Sequence, residues 1–349
     1  MLAAGAKVDA ADGDGGTPLF YAVYHGDADL VEELLDNQAE VNLSNRFNMT
    51  PLLLACRSGH NEIARLMLAA GAKVDAADGD GGTPLCDAVH HGDADLVEEL
   101  LDKKASAKIQ TNHRQTPLHM ACLGGDFEIV KLVLAKDSRV NARDSENRTP
   151  LAFACRQGHA RVAKELWECD ADPGVGDKNN FTPLHLAAME GREAVVKLLL
   201  AYKVEVDAQT TKGRRPLHLA AEHDQAGVAE LLLRNGADAN ATDQQGRTPL
   251  QIAISKNHFD AVNEILPRAK NIEVSPISGE SLLHWSCRHG LEKTVAVLLR
   301  RKDVIPNEQD DQGRTPLYLA CEGGRAEVVK LLLNEKIDLH QRFAGGETL

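Results

Sequence analysis

The stretch Thr17-Pro18-Leu19 decides the fold, because the same slot returns at a fixed interval along almost the whole chain. Five further copies follow every 33 residues, beginning at Thr50, Thr83, Thr116, Thr149 and Thr182. The slot continues as Arg215-Pro216-Leu217, Thr248-Pro249-Leu250, Ser281-Leu282-Leu283, then, after one inserted residue, Thr315-Pro316-Leu317 and a last Thr348-Leu349. A fixed period of this length indicates an array of structural repeats.

The unit that begins near Thr182 predicts two helices and a hairpin. Thr182 can cap a helix, and Pro183 suits its first turn, where a missing N–H costs nothing. Gly191 is suited to end that helix in the left-handed conformation. Glu193–Leu200 has apolar residues at helical spacing and predicts a second helix. Residues 204–207 then run extended to the turn before the next slot.

Three motifs of this kind resemble the ankyrin repeat. They read Thr-Pro-Leu-His-Leu-Ala-Ala at 182–188, Val-Val-Lys-Leu-Leu-Leu at 195–200 and Gly-Ala-Asp-Ala-Asn-Ala at 236–241. Ten consecutive copies cover nearly the whole chain. The resemblance implies an all-α ankyrin-repeat α-solenoid, in which helix-turn-helix-hairpin units of 33 residues stack into a curved rod. With layers roughly 10 Å apart, ten repeats predict a length on the order of 100 Å.

Two positions in each unit are predicted to have a positive φ angle, which glycine and asparagine tolerate best. The hairpin position, two residues before each slot, holds Gly15, Asn48, Gly81, Arg114, Asn147, Asn180, Gly213, Gly246, Gly279 and Gly313. The position nine residues after each slot is glycine in eight of ten copies, with Asp224 and Asn257 as the exceptions. At the end of the second helix, glycine is kept at 71 and 236. We expect weaker capping where it is replaced, by Gln38, Lys104, Asp137, Asp170, Lys203, Ala269, Lys302 and Lys336.

The repeat pattern also predicts the organisation of the chain. Residues 1–11 form a partial repeat, 12–275 hold repeats one to eight, 276–342 hold repeats nine and ten, and 343–349 start a truncated repeat. Neither end carries a polar capping repeat, so we expect a segment of a longer polypeptide or a truncated gene model. Pro267 should shorten its helix, and 267–282 is predicted to be a bend or soft joint.

Composition narrows the function. The net charge of −13 argues against a nucleic acid or an anionic membrane as a general partner. No apolar run approaches ~18 residues, so membrane insertion is not expected, and no secretory leader is visible. Five of the seven cysteines lie six residues after a slot, where small buried residues are expected: Cys56, Cys122, Cys155, Cys287 and Cys321. Layers roughly 10 Å apart are beyond disulfide reach, which favours free thiols and a cytoplasmic or nuclear location.

The sequence offers no catalytic constellation, and we expect neither an enzyme nor a cofactor. The Asp-Gly-Asp-Gly-Gly runs at 12–16 and 78–82 lack most of a calcium loop and are predicted hairpin tips. His119, His185 and His218 occur one per layer, whereas a metal needs converging ligands. The family resemblance implies that these histidines tie adjacent hairpins to helices.

Residues 2–36 and 68–102 are a near-exact duplication, identical at 32 of 35 positions. The three differences are Phe20/Cys86, Tyr21/Asp87 and Tyr24/His90. They fall in one window of the first helix, near the surface that the resemblance implies for recognition. Drift with chance clustering is the alternative interpretation.

The resemblance implies a concave binding surface built from hairpin tips and one face of the first helix. The matching positions are Tyr24, His25, Phe47, Met49, Arg57, His90, His91, His113, Arg148, Arg156, Phe181 and Met189. Aromatic, methionine and arginine side chains are enriched in interface cores, although ordinary surface scatter would also account for them. The set is mildly basic, which suits an acidic or extended peptide.

The sequence therefore predicts a non-catalytic, monomeric scaffold that binds a protein or peptide. The alternative is the targeting or regulatory region of a larger protein with a channel, kinase, ubiquitin-ligase adaptor or death-type domain. The resemblance also allows hydroxylation of Asn42, Asn141 and Asn240. Fold alone does not identify the partner.

Overall fold

The computed structural model describes residues 7–136, 139–270 and 280–334. These residues form twenty α-helices and one short 3-10 helix, and no strand is present among them. The predicted all-α fold of paired helices is therefore confirmed. The chain forms two compact units, residues 1–183 and 184–349.

Unit 1 is a stack of helix pairs. Its helices are α1 (Pro18–His25), α2 (Ala28–Asp36), α3 (Pro51–Ser58), α4 (Asn61–Ala69), α5 (Pro84–His91), α6 (Ala94–Asp102), α7 (Pro117–Gly124), α8 (Phe127–Lys136), α9 (Pro150–Gln157) and α10 (Ala160–Glu168). The odd-numbered first helices pack on one another in chain order, and so do the even-numbered second helices. Each helix pair therefore contacts chiefly the pairs before and after it.

Unit 2 repeats the arrangement. Its helices are α11 (Pro183–Met189, which begins at the unit boundary), α12 (Glu193–Ala201), α13 (Pro216–Glu222), α14 (Ala226–Arg234), α15 (Pro249–Ser255), α16 (Phe259–Ile265), α17 (Leu282–His289), α18 (Glu292–Leu299), α19 (Pro316–Glu322) and α20 (Ala326–Leu333). The second helices α12, α14, α16, α18 and α20 pack in chain order. Among the first helices, α13 packs on α15 and α17 packs on α19.

The repeated slot both starts the first helix and fills the core. The backbone N–H of Phe20 donates to Thr17 Oγ1 at 3.2 Å, which caps α1. The same cap forms at Thr50, Thr83, Thr116, Thr149, Thr248 and Thr315. The leucine of the slot is buried in all ten copies, at 19, 52, 85, 118, 151, 184, 217, 250, 283 and 317. One short motif thus supplies both the cap and the principal core residue of each layer.

The predicted left-handed positions are confirmed wherever the structure describes them. Arg114 has a φ of 58° at the hairpin position, and Asp224 and Asn257 have φ of 55° and 57° after the first helix. Gly279 lies outside the described residues. Four replacements at second-helix ends are also left-handed, namely Gln38, Lys104, Asp170 and Lys203. Their capping hydrogen bonds are kept (Gln38 N–H to the Leu35 carbonyl, 2.9 Å), so the cost lies in the backbone conformation.

Pro267 shortens its helix as predicted. The α-helix α16 ends at Ile265, and Leu266–Arg268 continue as a 3-10 helix. Arg301 reaches this end, because its Nη1 donates to the Ala269 carbonyl (2.8 Å) and its Nη2 to the Lys270 carbonyl (3.0 Å). The soft joint at 267–282 remains a prediction, since 271–279 lie outside the described residues. Asp137, Lys336 and the truncated repeat 343–349 also lie outside them.

The cysteine prediction is correct for four of the five positions. Cys56, Cys122, Cys155 and Cys287 are buried, and burial raises the pKa of Cys56 and Cys287 to about 12, so these thiols stay protonated. The prediction is wrong for Cys321, which is exposed. Cys321 lies on α19, and no further described first helix packs over that face. Separately, none of the described helices combines the length and apolar character that crossing a bilayer requires.

Candidate binding surface

The hairpins are organised by one side chain at a fixed place. Asp12 Oδ1 accepts the backbone N–H groups of Asp14 (2.9 Å) and Gly16 (2.8 Å), which closes the turn. The same pair of bonds forms at Asn45, Asp78, Asp144, Asp177, Thr210, Asp243 and Asp310. The runs at 12–16 and 78–82 are therefore hairpin turns. No group of metal-binding side chains occurs among the described residues.

In four repeats, the histidine that follows the slot leucine joins the first helix to the next hairpin. The backbone N–H of Thr116 donates to His119 Nδ1 (3.1 Å), so Nε2 carries the proton and donates to the Arg148 carbonyl (3.0 Å). His185, His218 and His284 make the corresponding bond to the carbonyls of Arg214, Arg247 and Arg314. The predicted structural role of His119, His185 and His218 is confirmed. Burial lowers the pKa of His119 and His218, and that of His185 to about 4.

The first helix of unit 1 presents aromatic side chains to solvent. Tyr24 and His25 are exposed at the end of α1, and their rings meet edge to face at 5.3 Å between centroids. One turn earlier, the Tyr21 hydroxyl donates to Asp12 Oδ2 at 2.6 Å. This hydrogen bond is the main reason that the pKa of Asp12 is lowered. Tyr21, which is 43% exposed, was not among the binding positions predicted from the sequence.

The second hairpin places Phe47 in solvent and Met49 partly so. The Arg46 guanidinium lies 4.7 Å over the Phe47 ring. Arg57, on α3, pairs with two carboxylates of the following repeat, Asp78 at 2.6 Å and Asp87 at 3.3 Å. The positive charge expected from Arg57 is therefore offset within the fold.

The middle of unit 1 holds most of the remaining candidates. His90 and His91 are exposed neighbours at the end of α5, and His91 Nε2 lies 2.8 Å from the Arg57 carbonyl oxygen. His113 is exposed at a hairpin tip. Arg148 is held by Asp144 through its Nε (2.9 Å) and Nη2 (2.8 Å), so its charge is also offset.

The last three candidates are Arg156, Phe181 and Met189. Arg156 is exposed at the end of α9, and Phe181 is partly exposed just before α11. Met189 is partly exposed at the end of α11, in unit 2. Eleven of the twelve predicted residues therefore lie in unit 1, on hairpins or first helices.

The duplicated helices α1 and α5 differ in what they show to solvent. Tyr21 and Tyr24 are exposed on α1. Of their counterparts, Asp87 pairs with Arg57 and His90 is exposed. Cys86 is buried, so the Phe20/Cys86 difference does not lie on an exposed surface. Two of the three differences thus lie on the side of the first helix that was predicted to bind a partner.

Comparison with known families decides the identity of the repeat. The family model for ankyrin repeats in three copies matches residues 1–78, 71–144, 125–210, 203–277 and 269–342. The chain belongs to the ankyrin-repeat family. Its ankyrin repeats account for the helix pairs, the capped slot and the hairpins described above.

Two curated proteins with ankyrin-type similarity cover only part of the chain. A probable E3 ubiquitin-protein ligase, XBOS33 of Oryza sativa subsp. japonica, is 32% identical over 79 residues, 23% of this chain and 15% of its own length. The ankyrin repeat and KH domain-containing protein mask of Drosophila melanogaster is 35% identical over 68 residues, 20% of this chain and 2% of its own. The chain therefore matches a small fraction of either relative.

Proposed function

We propose that the chain is a non-catalytic scaffold that binds a polypeptide on the hairpin and first-helix side of unit 1. The supporting observation is a contrast between buried and exposed side chains in the first two repeats. The slot leucines are fully buried, whereas large side chains such as Tyr24 and Phe47 stay in solvent on the hairpin side. Exposed aromatic side chains grouped on one side are typical of protein-binding surfaces.

The mechanism is rigid presentation of many shallow contacts. Eight of the described hairpins are each fixed by an Asp, Asn or Thr turn, and histidines tie some first helices to the next hairpin. Because these hydrogen bonds hold the hairpins before binding, the hairpin backbone loses little conformational entropy when a partner docks. No covalent step is part of this mechanism, and the contacts per repeat add to the affinity.

Affinity capture with the full-length chain tests the proposal. The binding-side variant combines His90→Ala, His113→Ala and Arg156→Ala, and the matched control combines Glu62→Ala and Lys164→Ala on exposed second-helix positions. We expect mass spectrometry to find polypeptides that the control retains and the binding-side variant loses. Equal capture by both variants, or loss only in the control, would contradict a site on this side.

A second candidate is a targeting or regulatory region of a larger protein. One of the relatives above is named a probable E3 ubiquitin-protein ligase, and the name of the other includes a KH domain. Sequencing the intact transcript tests it, because an unrelated domain in the same reading frame is expected. A reading frame with only further ankyrin repeats would favour the stand-alone scaffold.

A further inference from the structure

Exposed aromatic side chains are concentrated at one place on unit 1. Among the residues that the structure describes, the exposed Phe, Tyr and Trp side chains are Tyr21 (43%), Tyr24 (60%) and Phe47 (57%). They belong to the first two repeats, and the other described aromatic residues are partly or fully buried. We call Tyr21, Tyr24 and Phe47 the aromatic face.

The three side chains are carried by adjoining elements. Tyr21 and Tyr24 lie three residues apart on α1 and therefore on the same side of that helix. The Tyr21 ring lies beside Gly16 of the first hairpin. Phe47 stands on the next hairpin, which the Arg46 N–H joins to the first by a 2.9 Å bond to the Asp14 carbonyl.

The charge around the aromatic face is strongly negative. Residues 1–102 contain 19 acidic and 5 basic residues, whereas residues 103–349 contain 33 acidic and 34 basic ones. The first part of the chain therefore carries the whole net negative charge. Arg57, a basic residue of this part, is already held between Asp78 and Asp87. An acidic partner would be repelled here, whereas a basic one would be attracted.

Arg46, in the second hairpin, shows how an arginine side chain contacts this surface. The Arg46 guanidinium lies 4.7 Å over the Phe47 ring and its Nη1 is 2.7 Å from Asp14 Oδ1. One arginine is thus held by an aromatic ring and a carboxylate together. Around Tyr21 the same two groups occur, because its hydroxyl is bonded to the Asp12 carboxylate. Tyr24 adds a further exposed ring one turn along the helix.

We propose that the aromatic face binds an extended, arginine-rich segment of a partner polypeptide. The inference rests on the proposed scaffold function and names the chemistry of its partner at this end of unit 1. Arginine fits better than lysine, because its planar guanidinium stacks on aromatic rings and pairs with carboxylates at the same time. For this end of the surface, the proposal replaces the acidic peptide expected from the sequence.

Peptide binding to the full-length chain tests the proposal. The probes are fluorescein-labelled peptides of fifteen residues in which serine alternates with arginine, lysine or glutamate, read by fluorescence anisotropy at near-physiological salt. We expect the arginine peptide to bind at least several-fold more tightly than the lysine peptide, and the glutamate peptide not to bind. The double variant Tyr24→Ala/Phe47→Ala keeps every charge and should weaken arginine-peptide binding about tenfold.

A matched control removes two exposed apolar side chains of unit 2, Ile305→Ala and Leu333→Ala, and should bind as the unchanged chain does. Circular dichroism should show the same helix content for all variants. Equal binding of the arginine peptide by the double variant and the unchanged chain would overturn the proposal, since it would reflect general attraction to acidic surface. Preference for the glutamate peptide would also overturn it. If capture is still lost with the His90, His113 and Arg156 variant, the scaffold function stands while this inference fails.

Discussion

Residues 7–36 and 73–102 have almost the same sequence, yet their surroundings give them different structural roles. Leu30 of α2 is 45% exposed, whereas its counterpart Leu96 of α6 is 0% exposed. The helices themselves begin and end at equivalent residues in both copies. The sequence of a repeat thus sets its helices and turns, and the neighbouring layers set what is buried.

The largest expected effect comes from truncating a core side chain in one copy, because the equivalent side chain of the other copy is exposed. Leu96→Ala removes a fully buried side chain and should lower the free energy of unfolding by about 3 kcal/mol. Leu30→Ala should cost less than about 1 kcal/mol, because that side chain already contacts water. Urea unfolding of both variants, followed by circular dichroism, measures the difference. Equal losses would show that neighbouring layers do not control burial.

The buried histidines that follow the slot leucine provide a second comparison between repeats, because the first three repeats lack them. The folded pKa of His185 is about 4, below the ordinary 6.5, so the unfolded state binds the extra proton. Its contribution is fully present above about pH 6.5 and is lost as the pH falls toward 4, by at most about 3 kcal/mol.

When the pH is lowered from 7 to 5, protection from hydrogen exchange should therefore fall more in α11 and α13 than in α1 and α3. His185→Gln should reduce this pH dependence in α11. A uniform loss of protection along the chain would contradict the role assigned to the buried histidines.

The hairpin-turn carboxylates of the two copies have different side-chain partners. Asp12 accepts the Tyr21 hydroxyl, whereas Asp78 and Asp87 share Arg57. Arg57→Met leaves two neighbouring carboxylates without their cation. Burial already raises the pKa of Asp87, so we expect a loss of about 1–2 kcal/mol.

Asp87→Tyr should reduce the effect of Arg57→Met, because it restores the arrangement of the first copy. A double-mutant cycle from chemical unfolding measures the coupling. Additive effects of the two substitutions would contradict a shared contact.

The smallest effect should be the same in both copies, because it is local to the backbone. Gln38 and Lys104 follow α2 and α6 with φ of 64° and 70°, which side chains other than glycine adopt at a cost. Gln38→Gly and Lys104→Gly should each raise the free energy of unfolding by about 1 kcal/mol or less. Thermal unfolding would measure both, and a gain in one copy only would indicate that neighbouring layers influence this turn.

Much of the fold could be predicted from the sequence, because the slot carries local rules. Thr17 caps a helix and Arg114 sits at a left-handed position whatever surrounds them, so period and turn residues were sufficient. The hairpin carboxylates were missed, although an Asp, Asn or Thr recurs five residues before most slots.

The candidate surface was less predictable, since it depends on contacts between repeats. The charges of Arg57 and Arg148 are offset by Asp78 and Asp144, which only the folded geometry reveals. Cys321 is exposed whereas the four equivalent cysteines are buried, so the repeat position alone does not determine burial. Sequence therefore located the exposed side of each repeat, and structure was needed to find which side chains remain available.

Hydrogen exchange of the full-length chain with and without a captured polypeptide tests the binding side most directly. We expect added protection in α1, α3 and α5 and in the hairpins at 12–16, 45–49 and 78–82, and little change in α2, α4 and α6. Protection confined to the second helices would contradict a binding surface on the hairpin and first-helix side.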